Sequence, residues 1–276
     1  MAVRYFLHLS YDGTNYCGWQ VQANAPSVQQ TINEALHKLL GQHIASMGCG
    51  RTDTGVHAKD FYMHFDAEKE IEDKKDFLFR LNCVLPQDIT IFKIIDVAEK
   101  AHTRFDATER TYEYYVHFDK SSFVKRFSFY QGFYPIDWEK VLPATEFLKS
   151  IEDFTSLCLP SEDFKTNICL IKEAKWDVLP SQHLILKPFD FPDSSKPLTA
   201  SHQMQHGEML RFTVTSNRFL RGMIRKIVGT VLMVGKNRIT LDEFRDNVTN
   251  KKDFRIHYLA PPNGLFLSKV RYPYID

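Results

Sequence analysis

Gly48-Cys49-Gly50-Arg51-Thr52-Asp53-Thr54-Gly55-Val56-His57-Ala58 sets a single acid, Asp53, between an arginine and a glycine. Hydroxyls flank the acid at Thr52 and Thr54, and a largely apolar run, Phe61 to Phe65, follows. Glycines on both sides let the backbone turn sharply or approach a ligand closely. Arg51 can pair with the carboxylate, or the two can jointly grip a phosphate and a base. The plain alternative is a turn in which Asp53 bonds its own backbone.

Outward from this loop, 44–49 and 61–66 read as strands on either side of it. Val3, Tyr5, Leu7 and Leu9 alternate onto one face of an opening strand, 3–10. Ser27 with Gln30 has capping-box spacing and opens a helix through Leu40. A helix from about Lys74 to Cys83 and a strand at 89–97 complete a strand–helix–strand–strand–helix–strand half. That layout predicts an α+β half with its sheet covered on one face.

A second half is expected from Thr108, giving domains 1–107 and 108–276. Strands are predicted at 111–118, 168–178, 183–187, 209–215 and 265–270, with a helix at 138–149. The strand period puts Arg110, Tyr112, Tyr114 and Val116 on one face. From Asn217 to Arg238 six basic residues occur with no acid among them. Read as a helix over 218–234, this stretch gathers Arg218, Arg221 and Arg225 into one arc of about 60°. Thr240 with Glu243 repeats the capping-box spacing, and 180–207 reads partly as a loop.

The chain has 276 residues and a net charge of only +1, so any nucleic-acid affinity must be local, centred on that basic stretch. The five cysteines include no close pair, and the eleven histidines lack the short spacing of a metalloenzyme. No metal and no cofactor is expected. The absence of a bilayer-length apolar run and of an export signal predicts a soluble, cytoplasmic protein.

The stretch at 48–58 resembles the catalytic loop of the TruA-type tRNA pseudouridine synthases, Gly-Arg-Thr-Asp-Ala-Gly-Val-His-Ala, and departs from it only at Thr54. Four further blocks are similar to that family, in its order along the chain. They are Tyr11-Asp12-Gly13-Thr14 with Gly18-Trp19-Gln20, and Arg104-Phe105-Asp106-Ala107 with Arg110-Thr111-Tyr112-Glu113-Tyr114. Then come Phe219-Leu220 with Met223-Ile224-Arg225 and Ile227-Val228-Gly229, and finally Ala260-Pro261-Pro262 with Gly264-Leu265. Glu152-Asp153-Phe154-Thr155-Ser156-Leu157 departs from the family's His-Asp-Phe-Ser-x-Phe type segment.

The resemblance implies an α+β fold of two similar sheet-and-helix halves, their antiparallel or mixed sheets joined around a central basic cleft. It implies a homodimer that isomerises uridine at positions 38, 39 and 40 of tRNA, with Asp53 as nucleophile and Arg225 against it. Tyr112 is implied to stack on the target base and Leu265 to pack the pocket. Arg51 is expected at a phosphate or the extruded base, and Arg110, Arg218 and Arg221 on the RNA. Two other classes compete. A non-catalytic RNA-binding module would use the same aromatics and cations as a stacking platform. A glycosidase would need a second acid, for which Asp12 and Asp60 are the nearby candidates.

Overall fold

The computed structural model describes residues 2–132, 134–161, 166–180, 195–255 and 258–275. The chain divides into two compact units, Met1–Arg110 with Phe266–Asp276, and Thr111–Leu265. Each unit is α+β.

In the first unit β1 (Val3–Tyr11) runs antiparallel to β3 (His57–Ala67) on one side and β4 (Ile89–Asp96) on the other. The last strand, β10 (Leu265–Arg271), lies parallel to the start of β3, with Phe266 opposite His57. The short β2 (Met47–Gly48) pairs antiparallel with Met63 and His64, further along β3. Tyr5, Leu7, Leu9 and Tyr11 alternate onto one buried face of β1, as a two-residue period demands. The other face is not left to water either. Phe6 is fully buried among His64, Tyr272 and Tyr274, so aromatic residues near the C-terminus cover part of the face expected to be open.

Two helices complete this unit, α1 (Val28–Leu40) and α2 (Lys74–Val84). Ser27 Oγ accepts from Gln30 N at 3.2 Å, while the Gln30 amide turns to Glu34 rather than back to the cap. The strand expected at 44–49 shrinks to β2. Ser46 is drawn to α1 instead, its carbonyl accepting from Gln29 and its hydroxyl donating to Asn33. A helix side chain has thus taken the Ser46 carbonyl, the one of these groups that a ladder would have used.

The second unit orders its sheet as β5 (Glu109–His117), β9 (Glu208–Ser216), β7 (Ile171–Pro180) and β8 (Lys196–Pro197). β7 and β9 are antiparallel, with Trp176 opposite Phe212, and β6 (Phe129–Tyr130) pairs with the far end of β5. The helices are α3 (Trp138–Phe147), α4 (Met223–Gly235) and α5 (Leu241–Thr249). Thr240 caps α5 by accepting from Glu243 N, as its spacing predicts. The strand expected at 183–187 lies outside the described residues.

The basic helix corrects the sequence expectation. It begins at Met223 rather than 218, because Gly222 has φ 64° and a left-handed residue cannot continue a right-handed helix. A Cβ on Gly222 would also stand 2.7 Å from the Leu159 side chain. Arg218 and Arg221 therefore lie in the segment before the helix, and the predicted arc of three arginines does not form. The apolar period misled because Leu220 is buried like Ile224, Ile227 and Val231, yet from the turn.

Candidate active site

Asp53 lies half-buried in the connection between β2 and β3, with Arg51 exposed beside it. The entry to this loop is held at Cys49, whose N–H donates to Tyr62 O at 2.7 Å. Its carbonyl accepts from Arg110 Nε at 3.2 Å and Nη2 at 2.8 Å. In the middle, Trp19 N donates to Thr52 O at 3.3 Å, and the Tyr11 hydroxyl meets Thr52 Oγ1 at 2.8 Å. At the exit, Val56 N donates to Asp53 O at 3.1 Å and Gly55 N to Tyr16 O at 3.2 Å.

Gly18 explains why the Tyr11 to Gln20 block accompanies the loop. Its φ is 88°, and a Cβ there would stand 2.3 Å from Thr52 O. Only a residue without a side chain fits both demands. The opening block is the floor on which the Asp53 loop rests.

The neighbouring acids are engaged elsewhere. Asp12 accepts from Thr14 N and Oγ1 at 3.0 and 2.6 Å, and lies 3.0 Å from His57 Nδ1. Burial pushes its carboxyl up, but the contacts with His57 and Thr14 outweigh burial and hold it well below the usual range. Gly13 N–H also reaches His57 Nδ1, at 3.1 Å. That nitrogen donates to Asp12 when protonated and accepts from Gly13 when not, so the ring is held in either state. Asp60 pairs with His8 at 2.7 Å and accepts from Val270 N at 2.7 Å. These structural roles leave a glycosidase reading without its second acid. Cys49 is fully buried, and burial pushes its thiol up to about 12, which suits a packing thiol and not a nucleophile.

The second unit carries the other candidates. Tyr112 on β5 is buried and meets Phe219 edge-on, with ring centroids 5.1 Å apart. Tyr114 is a core tyrosine, with its hydroxyl donating to Pro261 O at 2.8 Å. Arg225 is half-buried on α4; its Nε donates to Ala260 O at 2.7 Å, and Ala260 N donates back to Arg225 O at 3.1 Å. This reciprocal pair ties the helix to the Ala260-Pro261-Pro262 block. Leu265 is buried and follows the turn Pro262–Gly264.

Arg221 is exposed, in the turn before α4, and Arg218 is half-buried in the irregular chain just ahead of it. Burial raises the Cys169 thiol to about 11 against the opposing charge of Arg218. Lys226 does not face water: it is buried, with Nζ donating to Cys158 O at 3.1 Å. Sequence reasoning missed two partnerships, Phe219 with Tyr112 and Arg110 with backbone carbonyls. Phe219 and Cys49 lie far from Tyr112 and Arg110 in the chain and leave no local pattern; the sole hint is that they fall inside or beside the family-like blocks.

A family model described as tRNA pseudouridine synthase matches residues 151–273. The chain is 36% identical to tRNA pseudouridine synthase A of Azobacteroides pseudotrichonymphae, over 98% of this chain and 97% of that protein. Identity is 39% to the protein of that name from Parabacteroides distasonis, over 98% and 96%. For Streptococcus pneumoniae strain CGSP14 it is 33%, over 98% of each. No helix among the described residues is long and apolar enough to cross a membrane. Similarity that runs the length of both chains covers the Asp53 loop and the Arg225 helix alike, and by it the chain belongs to the tRNA pseudouridine synthases, a family of isomerases.

Proposed function

We propose that this chain isomerises uridine to pseudouridine at positions 38, 39 and 40, in the anticodon stem-loop of tRNA, with Asp53 as the nucleophile. The observation that carries this reading is a half-buried carboxylate on a loop whose backbone is bonded at its entry, middle and exit. A nucleophile held that way meets a flipped base with little left to reorganise.

The chemistry balances without a co-reactant. The N1–C1′ bond breaks, the carboxylate holds one fragment at C6 of the ring or C1′ of the sugar, and the base turns over. A C5–C1′ bond then forms, C5 loses its proton, N1 gains one, and the carboxylate is released. Tyr112 offers a rigid, strand-borne ring for the base, with its hydroxyl near the final proton removal. Leu265, Arg51 and Arg225 are assigned to the substrate, the last as the cation that keeps the acid ionised where water is excluded. Arg218 and Arg221 are assigned to phosphates. The enzyme is proposed to work in the cytoplasm as a homodimer.

The test is tritium release from tRNA carrying 5-tritiated uridine at position 38, 39 or 40 alone. Release from each of the three is expected. Release from none of them, with release from a uniformly 5-tritiated tRNA, overturns the assignment of positions. Sedimentation at the mass of one chain, with full activity, overturns the dimer.

A further inference from the structure

Arg110 stands at the start of β5, where a cation beside a stacking tyrosine is expected to touch RNA. Its guanidinium is turned to protein backbone instead. Nε and Nη2 converge on the Cys49 carbonyl at 3.2 and 2.8 Å. Nη2 also donates to Arg104 O at 2.7 Å, and Nη1 reaches Ala107 O at 3.4 Å. A Cβ on Gly50 would lie 4.0 Å from Nε, so the guanidinium packs against the first residue of the loop proper. One planar fork thus spans three carbonyls from two chain segments.

Cys49 is the last residue fixed to the sheet before the chain departs toward Asp53. Its N–H is taken by Tyr62 O and its carbonyl by Arg110, so both backbone polar groups of the residue at the loop's root are bonded. We propose that Arg110 is a positioning residue for the candidate catalytic loop, setting the direction in which 50–53 leaves the sheet, rather than a phosphate ligand. This rests on the reading of Asp53 as the nucleophile. The planar geometry matters as much as the charge. An ammonium is a point donor on a flexible stem and cannot span the same three carbonyls.

The test compares Arg110→Met and Arg110→Lys with the wild type by three readouts. These are kcat and KM on tRNA, the slope of log affinity against log salt, and amide exchange of peptides covering 48–56. Positioning predicts a fall in kcat of about a hundredfold in Met, the scale of a misplaced reacting group. Most of that fall should persist in Lys, with affinity and salt slope unchanged and exchange at 48–56 several-fold faster. If Met does not fold, Lys carries the same comparison. A loss confined to affinity, with the slope flatter by about one and kcat intact, makes Arg110 a phosphate ligand and overturns the proposal. A lower melting temperature with normal kcat and normal exchange also overturns it. Failure of the underlying reading looks different: Asp53→Asn would remain active while Arg110→Met still loosened 48–56.

Discussion

Replacing Asp53 by asparagine removes one negative charge and almost no volume, so it separates chemistry from architecture. The loop contacts described above come from backbone groups, Thr52 and the Arg110 guanidinium, none of which belongs to the Asp53 side chain. Asp53→Asn is expected to abolish tritium release while leaving folding and tRNA affinity nearly intact. Retention of more than about a thousandth of wild-type activity, a loss of only about 4 kcal/mol, excludes Asp53 as nucleophile. Tyr112 calls for two substitutions. Tyr112→Ala should lose at least the roughly 1–3 kcal/mol of one stacked base in kcat/KM. Tyr112→Phe keeps the ring against Phe219 and removes the hydroxyl; if it forms an adduct but releases no C5 proton, the hydroxyl belongs to proton removal. Normal activity in Tyr112→Ala returns the residue to the core.

The β3 strand carries a titratable group that makes stability depend on pH. His64 is buried, its ring stacked on Phe6 and edge-on to His102, with Nδ1 bonded to Thr103 Oγ1 at 2.8 Å. Burial, and then the charges of Arg4 and His102, push its pKa down to about 4, against the pull of Asp66 and Asp106. Unfolded, it takes a proton near the ordinary 6.5. The neutral ring's contribution is therefore fully present above pH 6.5 and is lost progressively as pH falls to about 4. Urea midpoints should drop across that window, and the drop should be shallower in His64→Gln. Burial lowers His102 and His117 too, so part of the slope should remain. An identical profile in the variant assigns the whole effect to other groups.

At the scale of the molecule, a net charge of +1 forbids general attraction to RNA, so affinity must come from local cations. Binding is nevertheless expected to fall steeply with salt, because each neutralised phosphate releases counterions. Replacing Arg218 and Arg221 together by Gln should flatten the slope of log affinity against log salt by about 0.7–0.9 for each phosphate no longer neutralised. An unchanged slope places the RNA footprint on other residues. The two arginines precede α4, so their replacement is expected to leave the helix and the Arg225–Ala260 pair in place. That keeps this test independent of those at Asp53 and Tyr112.

Much was legible in the sequence because local rules act over a few residues. Alternation marked β1 and β5, cap spacing marked the starts of α1 and α5, and the Asp53 loop stood out by its glycines and hydroxyls. The five ordered blocks identified the family. Tertiary structure decided what depends on groups far apart in the chain. The strand expected at 44–49 shrank to Met47–Gly48, with the Ser46 carbonyl taken by the Gln29 side chain of α1. The basic helix began late because Gly222, packed against Leu159 with no room for a side chain, takes a left-handed backbone, which no periodicity reports. Residues 266–276 joined the first unit through the pairing of β10 with β3. Arg110 reads in sequence as one more cation for RNA, and only the fold brings the distant Cys49 carbonyl within reach of its donors. A side chain's chemistry is written at its own position, whereas its partner is chosen by whatever folding brings within hydrogen-bonding distance.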